Sequence, residues 1–161
     1  SPGTRSHGGN RWQFADVHSS PKPFGATIPI WVGGISKAAL RRTARVGDGW
    51  HAVALSPDAF KDQVAEIGEL ACAFGRDSAA IAVSMRVNIA FEGEGASENE
   101  LQAAIGADRP DEIRDTVESY ARAGATDMIF ALNCRDPETV RATMGQLADA
   151  LRAKLEPRRK M

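Results

Sequence analysis

The chain has 161 residues, enough for one domain with a buried core. Hydrophobic residues make up 43% and charged residues 25%, a balance that excludes an intrinsically disordered chain. The net charge is −1, so neither nucleic acid nor an anionic membrane surface is an expected partner.

No apolar run approaches the ~18 residues of a membrane span, and no signal peptide is read at the start. Cys72 and Cys134 are too few for a disulfide scaffold, which points to a reducing, cytoplasmic setting. Ser1 in place of a starting methionine suggests a processed chain or a piece of a longer one.

Residues 1–25 form the first of two expected regions. Ser1 to Arg11 carry Pro2, Gly3, Gly8 and Gly9 without apolar period and read as a flexible arm. Trp12, Phe14 and Val17 alternate loosely, as in a short extended segment. Pro21, Pro23 and Gly25 break regular structure.

Residues 26–161 read differently. Ile28, Ile30, Trp31 and Val32 form a short strand that stops at Gly33–Gly34. Ser36 to Arg45 follow as a helix, with Ala38, Ala39, Leu40 and Ala44 on its apolar side. Gly47–Asp48–Gly49 is a turn, and Trp50 to Leu55 is a second strand, with Trp31 and Trp50 expected in the core. Ser56–Pro57–Asp58 is a helix start, and Phe60, Val64, Ile67, Leu70 and Phe74 share its inward face. Gly75 belongs at the helix's C-terminal cap.

Ile81 to Phe91 is the clearest strand. Its odd positions are bulky and apolar; its even positions include Ala82, Ser84, Arg86 and Asn88. An acidic loop spans Glu92 to Glu100. Helix Pro110 to Ala123, strand Thr126 to Asn133 and a last helix from Asp136–Pro137–Glu138 complete the order. Val140, Met144, Leu147, Leu151 and Leu155 are the expected apolar face of that last helix.

The alternation β-α-β-α-β-α-β-α predicts parallel strands with right-handed crossovers, in a doubly wound sheet or part of a (β/α)8 barrel. The small and polar second face of Ile81 to Phe91 suits the interior of a barrel.

The segment Pro29-Ile-Trp-Val-Gly-Gly-Ile-Ser36, with Ala38-Ala-Leu-Arg-Arg42 and Gly47-Asp-Gly-Trp50, resembles the bacterial luciferase-like family. Phe14-Ala-Asp-Val17, Pro21-Lys-Pro23, Ala73-Phe-Gly-Arg-Asp77 and Gly124-Ala-Thr-Asp127 are similar to linker and turn segments of that family. The resemblance runs from about Arg11 to Leu155. It implies an α/β fold that is the C-terminal half, (β/α)4, of a TIM-type barrel. It also implies a flavin- or F-420-dependent oxidoreductase or monooxygenase. F-420 is the expected cofactor and FMN the alternative, with a small-molecule substrate.

Gly33–Gly34 lies between a strand and a helix. Glycine permits close backbone approach, and the helix start offers N–H groups and partial positive charge. As a bare dipeptide it reads more readily as a tight turn. The resemblance makes Val32, Gly33, Gly34, Ile35 and Ser36 the cofactor's phosphate cradle. Arg86 suits an anionic ring or phosphate, or a structural ion pair. His51 suits acid, base or ligand contact, against the commoner packing role of a strand histidine. Asn88 and Asn133 are candidate substrate contacts at strand ends. No metal site is expected from the cysteine and histidine spacing.

The four strands that would open such a barrel are missing from this chain. A homo-oligomer, or pairing with an N-terminal half-barrel, is therefore expected. The competing expectation is a non-catalytic half-barrel fragment or assembly module, because a half-barrel exposes two sheet edges and an inner face.

Overall fold

The computed structural model describes residues 3–25, 27–90, 104–132 and 136–155. Two short strands come first, β1 (Arg5–Gly8) and β2 (Gln13–Val17). They pair antiparallel, with His7 opposite Phe14 and Gly8 opposite Gln13. The flexible arm expected over residues 1–11 is thereby corrected at β1. The Gly9 N–H donates to the Trp12 carbonyl at 3.0 Å and closes the hairpin. Every strand side chain of the ribbon is exposed, so it is held by backbone pairing; β2 falls on the extended segment expected from Trp12, Phe14 and Val17, while β1 has no apolar period to read.

The main sheet contains β3 (Trp31–Gly33), β4 (Gly49–Ala52), β5 (Ala82–Ala90), β6 (Ile105–Gly106) and β7 (Asp127–Leu132). All its pairs are parallel. Helices α1 (Lys37–Val46), α2 (Pro57–Ala73), α3 (Pro110–Arg122) and α4 (Pro137–Leu155) follow β3, β4, β6 and β7. The two-residue β6 touches only the end of β5 and has no counterpart in the sequence reading.

The long strands pair in chain order, β3 with β4, β4 with β5 and β5 with β7. A doubly wound sheet would reverse direction and cover both faces with helices. Here one face is covered. Trp50, Ala52, Val83, Met85, Val87 and Ile89 are buried in one core with Leu40, Phe60, Ile67, Ile113, Tyr120 and Leu147 from the helices. The opposite face carries Trp31 and Ile129, 43% and 44% exposed, and the exposed Arg86. This is the winding of half a (β/α)8 barrel, the fold class expected from the sequence.

Local chemistry explains the element ends. Ser36 and Ser56 cap α1 and α2, each hydroxyl accepting a backbone N–H three residues on, at 3.3 Å. Gly75 has φ +71 at the end of α2, a conformation that glycine adopts without strain. At the foot of the sheet, the Asp48 carboxylate accepts the Ile30 N–H at 2.8 Å.

Three side-chain expectations are corrected. Trp31 lies outside the core, over Gly49, where any Cβ would run into its indole ring. In α1, Ala38 is exposed and Thr43 is buried in its place, its hydroxyl donating to the Ala39 carbonyl at 3.1 Å. In α4, Leu147 is buried as expected, but Met144 is 59% exposed and Thr143 is buried beside Leu147 in its place.

Arg76 ties α1 to the turn after α2. Its guanidinium donates to the carbonyls of Thr43, Ala44 and Gly47 at 3.1, 2.9 and 2.7 Å. These carbonyls lie at the C-terminal end of α1, where the helix dipole is negative; the Thr43 carbonyl also accepts the Gly47 N–H at 2.8 Å. Arg76→Ala is expected to destabilise the chain by about 2 kcal/mol, through charge-assisted bonds lost in a part-buried place. Urea unfolding monitored by circular dichroism measures it.

Candidate active site on the open sheet face

Parallel register sets side chains of neighbouring strands in rows. Gly33 of β3 stands beside His51 of β4, and His51 beside Ser84 of β5. Arg86 and Asn88 follow on the same face of β5, beside Ile129 and Ala131 of β7. The structure thus brings together Gly33, His51, Arg86 and Asn88, which lie far apart in the sequence. They sit on the uncovered face, towards the C-terminal ends of the strands, where sites of such barrels form.

The glycine turn has two different halves. Gly34 has φ +107 and needs to be glycine. Its carbonyl accepts the Trp50 indole N–H at 2.8 Å, and its own N–H reaches the His51 carbonyl at 3.4 Å. Gly33 is open: a Cβ there would meet nothing within 4 Å. Ser36 is the cap of α1, so its oxygen is engaged by the Ala39 N–H while its proton remains free to donate. The N–H groups that open α1 precede the first intrahelical bond and face the turn's end of the helix. Val32 shares a face with the buried Trp50, so only its backbone belongs to the turn's open side. Ile35 is 41% exposed.

The His51 Nδ1 lies 2.8 Å from the Ser84 hydroxyl. That hydroxyl is buried and donates to the Trp50 carbonyl at 3.2 Å. Burial, and then the positive charge of Arg86, hold the His51 pKa below its ordinary 6.5. The imidazole is therefore neutral at pH 7 and suited to accept a hydrogen bond, not to act as a cationic acid. Arg86 donates from Nε and Nη2 to the Asn88 side-chain oxygen at 3.2 and 3.0 Å. This keeps its charge on the open face, and no ion pair is recorded for Arg86 among the described residues.

Ser84 and Trp31 were not expected here. The alternation of β5 marked the face of Ser84, but only the register shows that it meets His51. Asn133 and Cys134 lie outside the described residues. A cavity of about 520 Å³ between α3 and α4 is lined by Ala107, Ile113, Arg114 and Leu147, and shares no residue with this row.

His51 titrates lower in the folded chain than in the unfolded one, so acid protonates the unfolded state first. The stability it contributes is present above 6.5 and is lost as the pH falls through its folded value. Arg86→Gln is expected to raise the His51 pKa without restoring it fully, because burial remains the larger cause. Proton NMR titration of the imidazole reads the shift; an unchanged value would separate Arg86 from the site.

Comparison with known proteins agrees with this fold. The family description "luciferase-like monooxygenase" matches residues 3–152. No curated protein matches the chain. Among solved structures, the coenzyme F-420-dependent tetrahydromethanopterin reductase of Methanopyrus kandleri is 16% identical with TM-score 0.66, over 91% of this chain and 56% of that one. An F-420-dependent secondary alcohol dehydrogenase, solved with an F-420–acetone adduct, is 14% identical with TM-score 0.69, over 94% and 57%. A riboflavin lyase, solved with modified FMN and riboflavin, is 12% identical with TM-score 0.65, over 94% and 48%. These likenesses show the fold, and the chain spans about half the length of each. By the family match over residues 3–152, the chain belongs to the luciferase-like monooxygenase family.

Proposed function

We propose that this chain is the C-terminal half of a luciferase-like oxidoreductase whose open sheet face takes a flavin-type cofactor, F-420 ahead of FMN, and a small-molecule substrate. The carrying observation is the row Gly33, His51 and Ser84, with Arg86 above it, on a face that no helix covers among the described residues. Similar solved structures include two F-420 enzymes by name and one solved with a modified FMN, which supports a flavin-type cofactor.

The residues fit such a group. Gly33 leaves space at the start of α1, Ser36 has a proton to donate, and the helix start favours an anion. In this reading the turn 32–36 holds the phosphate end by backbone and hydroxyl donors. Arg86 offsets negative charge on the ring or substrate. His51, kept neutral, accepts a hydrogen bond from a ligand donor. Trp31 offers an aromatic surface and Ile129 an apolar one beside the row. When bound, the cofactor supplies hydride transfer or, for FMN, oxygen activation, while these side chains orient it and limit water. Four further strands, from a longer chain or a partner, complete the enclosure. The setting proposed is cytoplasmic; no helix among the described residues is long and apolar enough to cross a membrane.

A second reading is an assembly module without catalysis. It is favoured by the outer edges of β3 and β7, unpaired among the described residues, and by the face between them that these residues leave uncovered.

Fluorescence titration with F-420, and separately with FMN, tests both readings. Saturable binding of F-420 is expected. Gly33→Val adds bulk only to open space, so it should leave the unfolding midpoint unchanged and weaken binding at least about tenfold, by excluding charge-assisted bonds to phosphate. Unchanged affinity overturns the phosphate assignment. Binding of neither cofactor favours the assembly module.

A further inference from the structure

We propose that Ser84 is a positioning residue that holds His51 with its proton on Nδ1 and the bare Nε2 turned to the open face. The role of that Nε2 towards a cofactor or substrate rests on the function proposed above; the tautomer itself does not.

The argument is one of donor and acceptor count. A serine hydroxyl has one proton and two lone pairs. The Ser84 hydroxyl lies 3.2 Å from the Trp50 carbonyl and 2.8 Å from the His51 Nδ1. A carbonyl only accepts. If both contacts are hydrogen bonds, the Ser84 proton goes to Trp50, and Ser84 must accept at its other contact. The Nδ1 then carries the imidazole proton. The opposite arrangement gives the Ser84 proton to Nδ1 and leaves the Trp50 contact without a hydrogen. Ser84 is only 1% exposed, so water does not make up that loss.

The consequence is at the other end of the ring. A neutral imidazole protonated on Nδ1 has a lone pair on Nε2. His51 then accepts from a hydroxyl or ring N–H of whatever occupies the face. It does not donate to a carbonyl there. Burial and Arg86 disfavour the doubly protonated ring, which keeps this acceptor available at neutral pH. The ligand class selected by His51 is thus one that presents a hydrogen-bond donor at this point of the row. Ser84 acts on it only through His51.

Long-range ¹H–¹⁵N correlation NMR of the histidine-labelled 161-residue chain, above pH 8, reads the tautomer directly. No cofactor is needed, so this outcome is separate from the binding titration. The expected result is an excess of the Nδ1–H form of His51 by about tenfold, the ratio set by one buried hydrogen bond. Ser84→Ala should abolish that excess, and Ser84→Thr, which keeps the hydroxyl, should restore it. A merely structural role for Ser84 would move stability without moving the tautomer. A wild-type spectrum dominated by Nε2–H overturns the proposal by itself, whether or not either variant folds.

Discussion

Trp50 joins the core of this half-barrel to its open face. Its ring is fully buried and stacks on Phe60 at 5.3 Å, and Phe60 meets Tyr120 edge-on at 5.7 Å. Its indole N–H holds the Gly34 carbonyl at 2.8 Å, and its carbonyl receives the Ser84 hydroxyl. One residue therefore links α2, α3, the glycine turn and the middle of β5. A buried indole N–H needs a partner, and the turn supplies it. The position of Gly33 and Gly34 is thus tied to core packing and not left to a mobile loop.

The second constraint is parallel pairing. Each strand alternates between a face that packs under helices and a face that does not. The helix side is continuous hydrocarbon from Ala52 to Ile89. The other side mixes Trp31, His51, Ser84, Arg86 and Asn88. Register then brings single residues of different strands into one row. An uncovered cation and a histidine held neutral stand together there, an electrostatic pairing that a packed interior would not accommodate without a carboxylate.

The open face also bears on completeness. Trp31 and Ile129 flank the polar row, and Ile28 and Ile30 before β3 are 71% and 55% exposed. Apolar side chains grouped at a sheet edge mark surfaces that pair with something. The chain spans about half of each solved structure it resembles. The proposed completion by four further strands would cover these side chains and enclose the row.

Much of the helix-covered side was legible in the amino-acid order. The step of β5 from Val83 to Ile89, the face of α2 from Phe60 to Phe74, and the caps at Ser36 and Ser56 follow from local rules, because spacing and capping act within a few residues. Gly33–Gly34 and Arg86 were visible as candidates for the same reason. The pairing β3–β4–β5–β7, the meeting of His51 with Ser84, and the place of Trp31 on the open face were decided only in three dimensions. They depend on contacts between residues tens of positions apart, and strand register carries no local signature. The extended segment at β2 was read from Trp12, Phe14 and Val17, but β1 and its pairing with β2 escaped the reading for a related reason: backbone pairing holds the ribbon without a buried side chain. Sequence thus determined which residues are candidates for the chemistry, and tertiary structure decided which of them touch, because proximity across parallel strands is a property of register and not of composition.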